Sequence, residues 1–201
     1  NLAQVNKTYN AAVWSVDGVR LLKAKMTAHI KKPQKRLPPM YYAAHYGNAP
    51  AVRALLESGV DANKSLTIGR TTALILAARR GHVATVKLLI EKGADLNMVH
   101  LTTGETALYR AAEQSNPLCA MELLKAGADV NIANKDGQTP LMVAVKKGCI
   151  SLVALLIQSG ADVNVVDNNG MNPLALTACN IGKNSYDRMV ALLKGTDHLK
   201  T

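Results

Sequence analysis

Five histidines, three cysteines and a recurring Asp-x-Asn pair are the residues of this chain whose types could support catalysis or bind a metal. His29, His45, His82, His100 and His198 are scattered, and no two have the spacing that would turn two imidazoles toward one ion from a single helical face. Cys119, Cys149 and Cys179 recur at intervals of 30 residues. None forms the Cys-x-x-Cys spacing of zinc or redox sites, and an odd number gives no disulfide framework. They read as buried free thiols, which favours a reducing compartment only weakly. The phosphate-cradling Gly-x-x-x-x-Gly-Lys, the Gly-x-Ser-x-Gly elbow and the His-Glu-x-x-His pair do not occur. The pairs Asp61–Asn63, Asp95–Asn97, Asp129–Asn131 and Asp162–Asn164 fall once per period. Side-chain bonds to nearby backbone make such residues turn formers, which accounts for them without catalysis. The expectation is a protein with no catalytic residues, no cofactor and no metal.

That period organises the chain. Five units start at Pro38, Thr72, Thr106, Thr139 and Asn172, spaced 34, 34, 33 and 33 residues. Thr139 offers a hydroxyl to cap a helix, and Pro140 follows at the first helical position, where no backbone N–H is required. Asn172–Pro173 repeats the device, whereas Thr72–Ala73 and Thr106–Ala107 keep the cap alone. The Ala pairs 43–44, 77–78 and 111–112 precede short turns marked by Gly47, Gly81, Ser115 and Gly148. A second helix then shows an apolar stripe at helical spacing: Val52, Leu55 and Leu56 correspond to Val86, Leu89 and Ile90. The stripe continues as Ala120, Leu123 and Leu124, as Val153, Leu156 and Ile157, and as Met189, Leu192 and Leu193. Gly59, Gly93, Gly127 and Gly160 stop these helices.

With 48% hydrophobic residues, 3% aromatic and no Phe, the core must be built from Leu, Val, Ile and Ala. No apolar run approaches the roughly 20 residues needed to cross a bilayer, so the chain reads as soluble.

The stretch Gly81–Asn97, with its Gly-Ala-Asp-x-Asn ending, resembles the second half of an ankyrin repeat, and the grammar of residues 37–195 is similar throughout. The resemblance implies an all-α fold, an α-solenoid of stacked helix–turn–helix repeats with short β-hairpin fingers. It divides the chain into a degenerate N-terminal cap and basic loop (1–36), four repeats (37–171), a C-terminal capping repeat (172–195) and a tail (196–201). Helices are expected near 5–13 and 17–26. Departures from the family pattern are specific. The His that follows Thr-Pro-Leu, which in the family fixes the backbone between repeats, is replaced by Tyr41, Ile75, Tyr109, Met142 and Ala175, predicting lost hydrogen bonds. The fingers at 64–71 and 98–105 each hold one extra residue, and the last unit inserts three around Asn180–Ser185. His82 stands where repeats of the family commonly carry a structural His.

The family resemblance also implies that partners dock on the concave face lined by first helices and fingers. The varying positions there give the set Tyr42, His45, Tyr46, Ile68, Arg70, Leu76, Arg79, Arg80, His100, Leu101, Arg110, Lys146 and Lys147. Tyr42 and Tyr46 lie one helical turn apart and share a face; packing under the N-terminal loop is the alternative for them. Arg79, Arg80, Arg110, Lys146 and Lys147 give the face a positive tone, which favours an acidic protein partner. The net charge of +10 is concentrated elsewhere: residues 1–36 hold eight basic residues against Asp17, leaving +3 for residues 37–201.

The leading expectation is a non-catalytic protein-binding module, monomeric by itself and without a small-molecule substrate. A second is a stand-alone inhibitor or immunity protein that neutralises a toxin or enzyme. A third is anionic nucleic-acid or membrane-surface binding through residues 20–36, although these lack interleaved aromatic platforms. The chain starts at Asn1 and not at Met. A cytoplasmic location is the default, with a periplasmic or secreted bacterial protein, its signal peptide removed, as the alternative.

Overall fold

Thr72, Thr106 and Thr139 each start a helix by the same bond. Their hydroxyl oxygens accept the backbone N–H of Ile75, Tyr109 and Met142 at 3.2, 3.1 and 3.3 Å. Asn172 does so with its amide oxygen, accepting from Ala175 at 2.8 Å. Such caps satisfy one of the donors that every helix start leaves open. Pro38, at the corresponding place in the first unit, has no side chain to offer.

The computed structural model describes residues 37–67, 69–180 and 183–195, with side chains omitted at 179, 180 and 183–186. Among the described residues ten helices form five pairs: α1 (Pro39–His45) with α2 (Ala49–Glu57), α3 (Ala73–Arg80) with α4 (Val83–Glu91), α5 (Ala107–Glu113) with α6 (Pro117–Lys125), α7 (Pro140–Lys146) with α8 (Ile150–Gln158), and α9 (Pro173–Asn180) with α10 (Lys183–Leu193). Each helix packs on its partner, and each also packs on its counterpart in the adjoining unit. First helices therefore stack in one row and second helices in another. The expected cap at 1–36 and the tail from 196 lie outside the described residues.

Burial explains why the rows hold. Ala43, Ala44, Ala77, Ala78, Ala111, Ala112 and Ala144 have no exposed surface, so small side chains set how closely the first helices approach. The stripe of the second helices is equally dry, with Val52, Val86, Leu89, Ala120, Leu123, Val153 and Leu156 fully buried. Truncating any of these leucines to alanine would cost about 2–5 kcal/mol.

Polar bonds tie the units in register. Asp61, Asp95, Asp129 and Asp162 each accept the N–H of the Asn two residues later at 2.8–2.9 Å, as expected for a turn. The Asn residues act at longer range. Asn63, Asn97 and Asn131 accept the N–H of Asp95, Asp129 and Asp162 at 2.7, 2.9 and 2.9 Å, which links each unit to the next. Four fingers project beyond them. Backbone bonds close each of them: Leu66 to Thr71, His100 to Glu105, Asn134 to Gln138, and Asp167 to Met171. Neighbouring fingers are bridged by Leu101 to Gly69, Lys135 to Thr103 and Asn168 to Asp136. The fingers thus reverse the chain like hairpins, but they form no strand among the described residues.

The missing family His is made good at one place. Tyr109 donates to Gln138 at 3.5 Å and accepts from Asn134 at 3.1 Å, whereas Ile75 and Met142 are apolar and buried. His82 bridges at the turn instead, its Nε2–H donating to the His45 carbonyl at 2.9 Å. Its ring lies over Gly47, where an added Cβ would come within 2.5 Å. Asn116 repeats the bridge one unit on, donating to the carbonyls of Ala78 and Arg79 at 3.1 and 3.3 Å. At the C-terminal end, α10 begins at Lys183 and has 11 residues against nine in α2, so inserted residues lengthen the helix.

Ser115 is where this register is imperfect. Gly47, Gly81 and Gly148 hold the equivalent turn at φ 68, 76 and 68°, and Ser115 is forced to φ 54°. A left-handed non-glycine costs roughly 1–2 kcal/mol, part of which a glycine would give back as chain entropy. Ser115→Gly is therefore expected to raise stability by about 0.5–1 kcal/mol, read as a higher urea midpoint at unchanged slope.

Candidate functional site

The candidate surface runs across the last turns of the stacked first helices. Repeat register aligns Tyr46, Arg80, Gln114 and Lys147 in one row, and all four are exposed. The preceding residues, His45, Arg79, Glu113 and Lys146, form a second row in which only Arg79 is fully exposed. At the α1 end the surface is aromatic. Tyr41 stacks on His45 with ring centroids 5.6 Å apart, and Tyr42 and Tyr46 meet them edge-on at 5.6 and 4.9 Å. Tyr42 and Tyr46 remain open to solvent, at 36% and 70% exposure. Burial lowers the His45 pKa, and the charges of Arg80, His82 and Arg79 lower it further, so this ring is neutral at pH 7.

The cations of this face divide into two kinds. Arg110 is committed internally. It pairs with Glu105 and with Glu113, the latter at 2.8 Å, and only 16% of its side chain is exposed. One cation between two carboxylates leaves this unit at −1, so the expected positive contribution of Arg110 is corrected. Burial alone would raise the Glu113 pKa, but the Arg110 hydrogen bond and charge hold it below the ordinary carboxylate value. Arg70, Arg79, Arg80, Lys146 and Lys147 form no ion pair among the described residues. Lys146 is half-buried, and its charge acts on Asp167.

Other expected contacts separate by burial. Leu76 is 4% exposed and belongs to the hydrophobic core, so it is not open to a partner. Ile68 lies outside the described residues. Leu101 is 48% exposed at a finger tip. His100 is half-buried and serves the finger itself: Nδ1 accepts the Thr103 N–H at 3.3 Å, while the Thr103 hydroxyl donates to Glu105. Burial lowers its pKa, and Arg110 and Lys135 add to the effect against Glu105. Arg70 is exposed and sits at φ 59°. Its counterparts in the other fingers are Gly104, Gly137 and Gly170, at 75, 76 and 73°.

Sequence spacing missed the Glu105–Arg110–Glu113 cluster as a unit. The i,i+3 relation of Arg110 and Glu113 was a usable signal. Glu105 lies before the helix cap, and only the fold turns it back toward Arg110.

The Cys119 thiol is fully buried, and burial pushes its pKa up to about 11, which suppresses the thiolate. Burial and the Glu105 charge raise the Tyr109 pKa to about 12, so its hydroxyl stays protonated for the Gln138 bond. Among the described residues no group of three His, Cys, Asp or Glu is placed to hold a metal ion, and no described helix is long and apolar enough to cross a membrane.

Arg110 is thus expected to govern stability. Arg110→Ala leaves Glu105 buried without a cation and should cost about 3 kcal/mol in chemical unfolding. The lowered pKa of Glu113 contributes stability above the unfolded carboxylate pKa, lost as pH falls through the folded value. Glu113→Gln should therefore lower stability at pH 7 and flatten the fall below about pH 4, followed by urea midpoints across the pH range.

A family model described as ankyrin repeats, three copies to a model, matches residues 10–100, 40–134 and 108–201. No curated protein matches the chain. The matched segments cover nearly all of it, and the paired helices, left-handed glycine stops and bridged fingers agree with them. The chain belongs to the ankyrin-repeat family, whose members generally serve as non-catalytic protein–protein interaction modules.

Proposed function

We propose that this protein has no catalytic activity and captures an acidic protein partner on the face formed by its first helices and fingers. The observation that carries the reading is the juxtaposition of an open aromatic cluster with unpaired arginines. Tyr42 and Tyr46 expose rings that His45 and Tyr41 hold in place, and Arg79 and Arg80 stand one unit away with no salt bridge among the described residues. Exposed aromatic rings and arginines are the usual anchors of protein interfaces. The stacked helices hold these groups before the partner arrives, so little ordering entropy is lost on association.

Arg70 adds a second support. An exposed cation occupies a backbone conformation that the other fingers give to glycine, at a conformational disadvantage of roughly 1–2 kcal/mol. Unlike a small polar residue, Arg70 there presents a full charge to solvent, where an acidic partner would meet it.

Affinity capture from the native host, read by mass spectrometry, tests both supports on the full chain. Arg79→Glu with Arg80→Glu should reduce recovery of the partner at least about tenfold and slow its association most at low salt. Undiminished capture would remove this face from the function. Arg70→Gly should move two readouts in opposite directions, raising the urea midpoint by about 0.5–1 kcal/mol while weakening capture. A variant that is stabilised with no loss of capture would reduce Arg70 to an accident of the finger.

A further inference from the structure

The unpaired cations of the first-helix face are not spread evenly, and their spacing restricts the acidic chain that fits them. Arg79 and Arg80 close α3, and Lys146 and Lys147 close α7. Between them α5 offers Glu113 and Gln114, beside an Arg110 already neutralised by two carboxylates. The ridge therefore reads positive, slightly negative, positive along consecutive units. Packed helices lie about 8–10 Å apart, so the two cationic pairs are separated by roughly 16–20 Å. An extended polypeptide advances about 3.3 Å per residue and covers that gap in about five or six residues.

We infer that the partner presents an extended segment with two acidic clusters about five or six residues apart, joined by a spacer without acidic residues, lying along the ridge from Arg79–Arg80 to Lys146–Lys147. This rests on the reading of the face given above and deepens it. A continuous run of acidic residues fits less well. Its central carboxylates would meet Glu113, which is held ionised by Arg110. Like charges brought together at an interface select against such a ligand.

Fluorescence anisotropy with the full chain and synthetic peptides of one composition tests the register. One peptide carries two Glu pairs at the matching separation, a second joins the pairs into one block, and a third places them twice as far apart. At low salt the matching peptide should bind roughly tenfold more tightly than either other peptide. Lys146→Ala with Lys147→Ala should erase that preference. Lys147→Ala alone, at an exposed position, should reduce it at an unchanged melting temperature, which separates the effect from that of the Lys146 charge on Asp167. Equal affinity for all three peptides, tighter binding of the block, or no binding of any overturns the proposed spacing. Those results leave the role of Arg79 and Arg80 in capturing the native partner to be read separately, so the two readings fail by different measurements.

Discussion

The packing of stacked first helices at their buried Ala pairs is the constraint on which the other interactions depend. Ala43, Ala44, Ala77, Ala78, Ala111 and Ala112 have no exposed surface and no side chain beyond Cβ. A larger residue there would move a whole unit away from its neighbour. The Asn bridges, the bonds between fingers and the His82 contact to the His45 carbonyl all cross the same gap at 2.7–3.0 Å. Hydrogen bonds weaken rapidly beyond that range. Loss of close packing at one interface would therefore also remove its polar ties, which makes the interface between units, and not the unit, the cooperative element.

Those polar ties show how the stack keeps register without the family's repeated His. Tyr109 restores a side-chain bridge between the third unit and its neighbouring finger, and buried Ile75 and Met142 substitute packing for polarity. Asn63, Asn97 and Asn131 form a regular ladder on the far side of the units. Asp167 completes the set near the C-terminal end. Although burial disfavours its charge, bonds from the N–H groups of Met171 and Asn169 and from Gln138 keep it ionised and lower its pKa. Each tie is worth only about 0.5–1.5 kcal/mol, so their joint effect is on register more than on total stability.

Much of the fold was legible because helix caps, Ala pairs and glycine stops are local signals repeated at one spacing. Thr72, Thr106 and Thr139 cap as expected, and Gly59, Gly93, Gly127 and Gly160 adopt φ between 78 and 91°. The range of each Asn bond was not legible, since a turn and a bridge to the next unit need the same residue in the same place. The surface was less accessible still. Leu76 and Tyr42 occupy equivalent positions, yet one is in the core and the other open. Ionic commitment was also hidden. Arg79 and Arg110 look alike in the sequence, and only folding brings Glu105 and Glu113 to Arg110.

Two departures from glycine show how structural and functional residues can be separated on physical grounds. Ser115 and Arg70 both hold a left-handed backbone that other units assign to glycine. Ser115 sits in the turn before α6, and its small side chain adds nothing to the cationic ridge beside it. Its strain has no visible return. Arg70 places a full charge at an exposed finger. Surface charge alone would not distinguish it from a solubility residue, since most exposed cations have no strain to explain. Charge that is unpaired, exposed and held in a disfavoured conformation is a narrower condition, and among the described cations Arg70 meets it. The same reasoning removes Arg110, which is charged but paired, from the binding surface and assigns it to the scaffold that holds that surface in place.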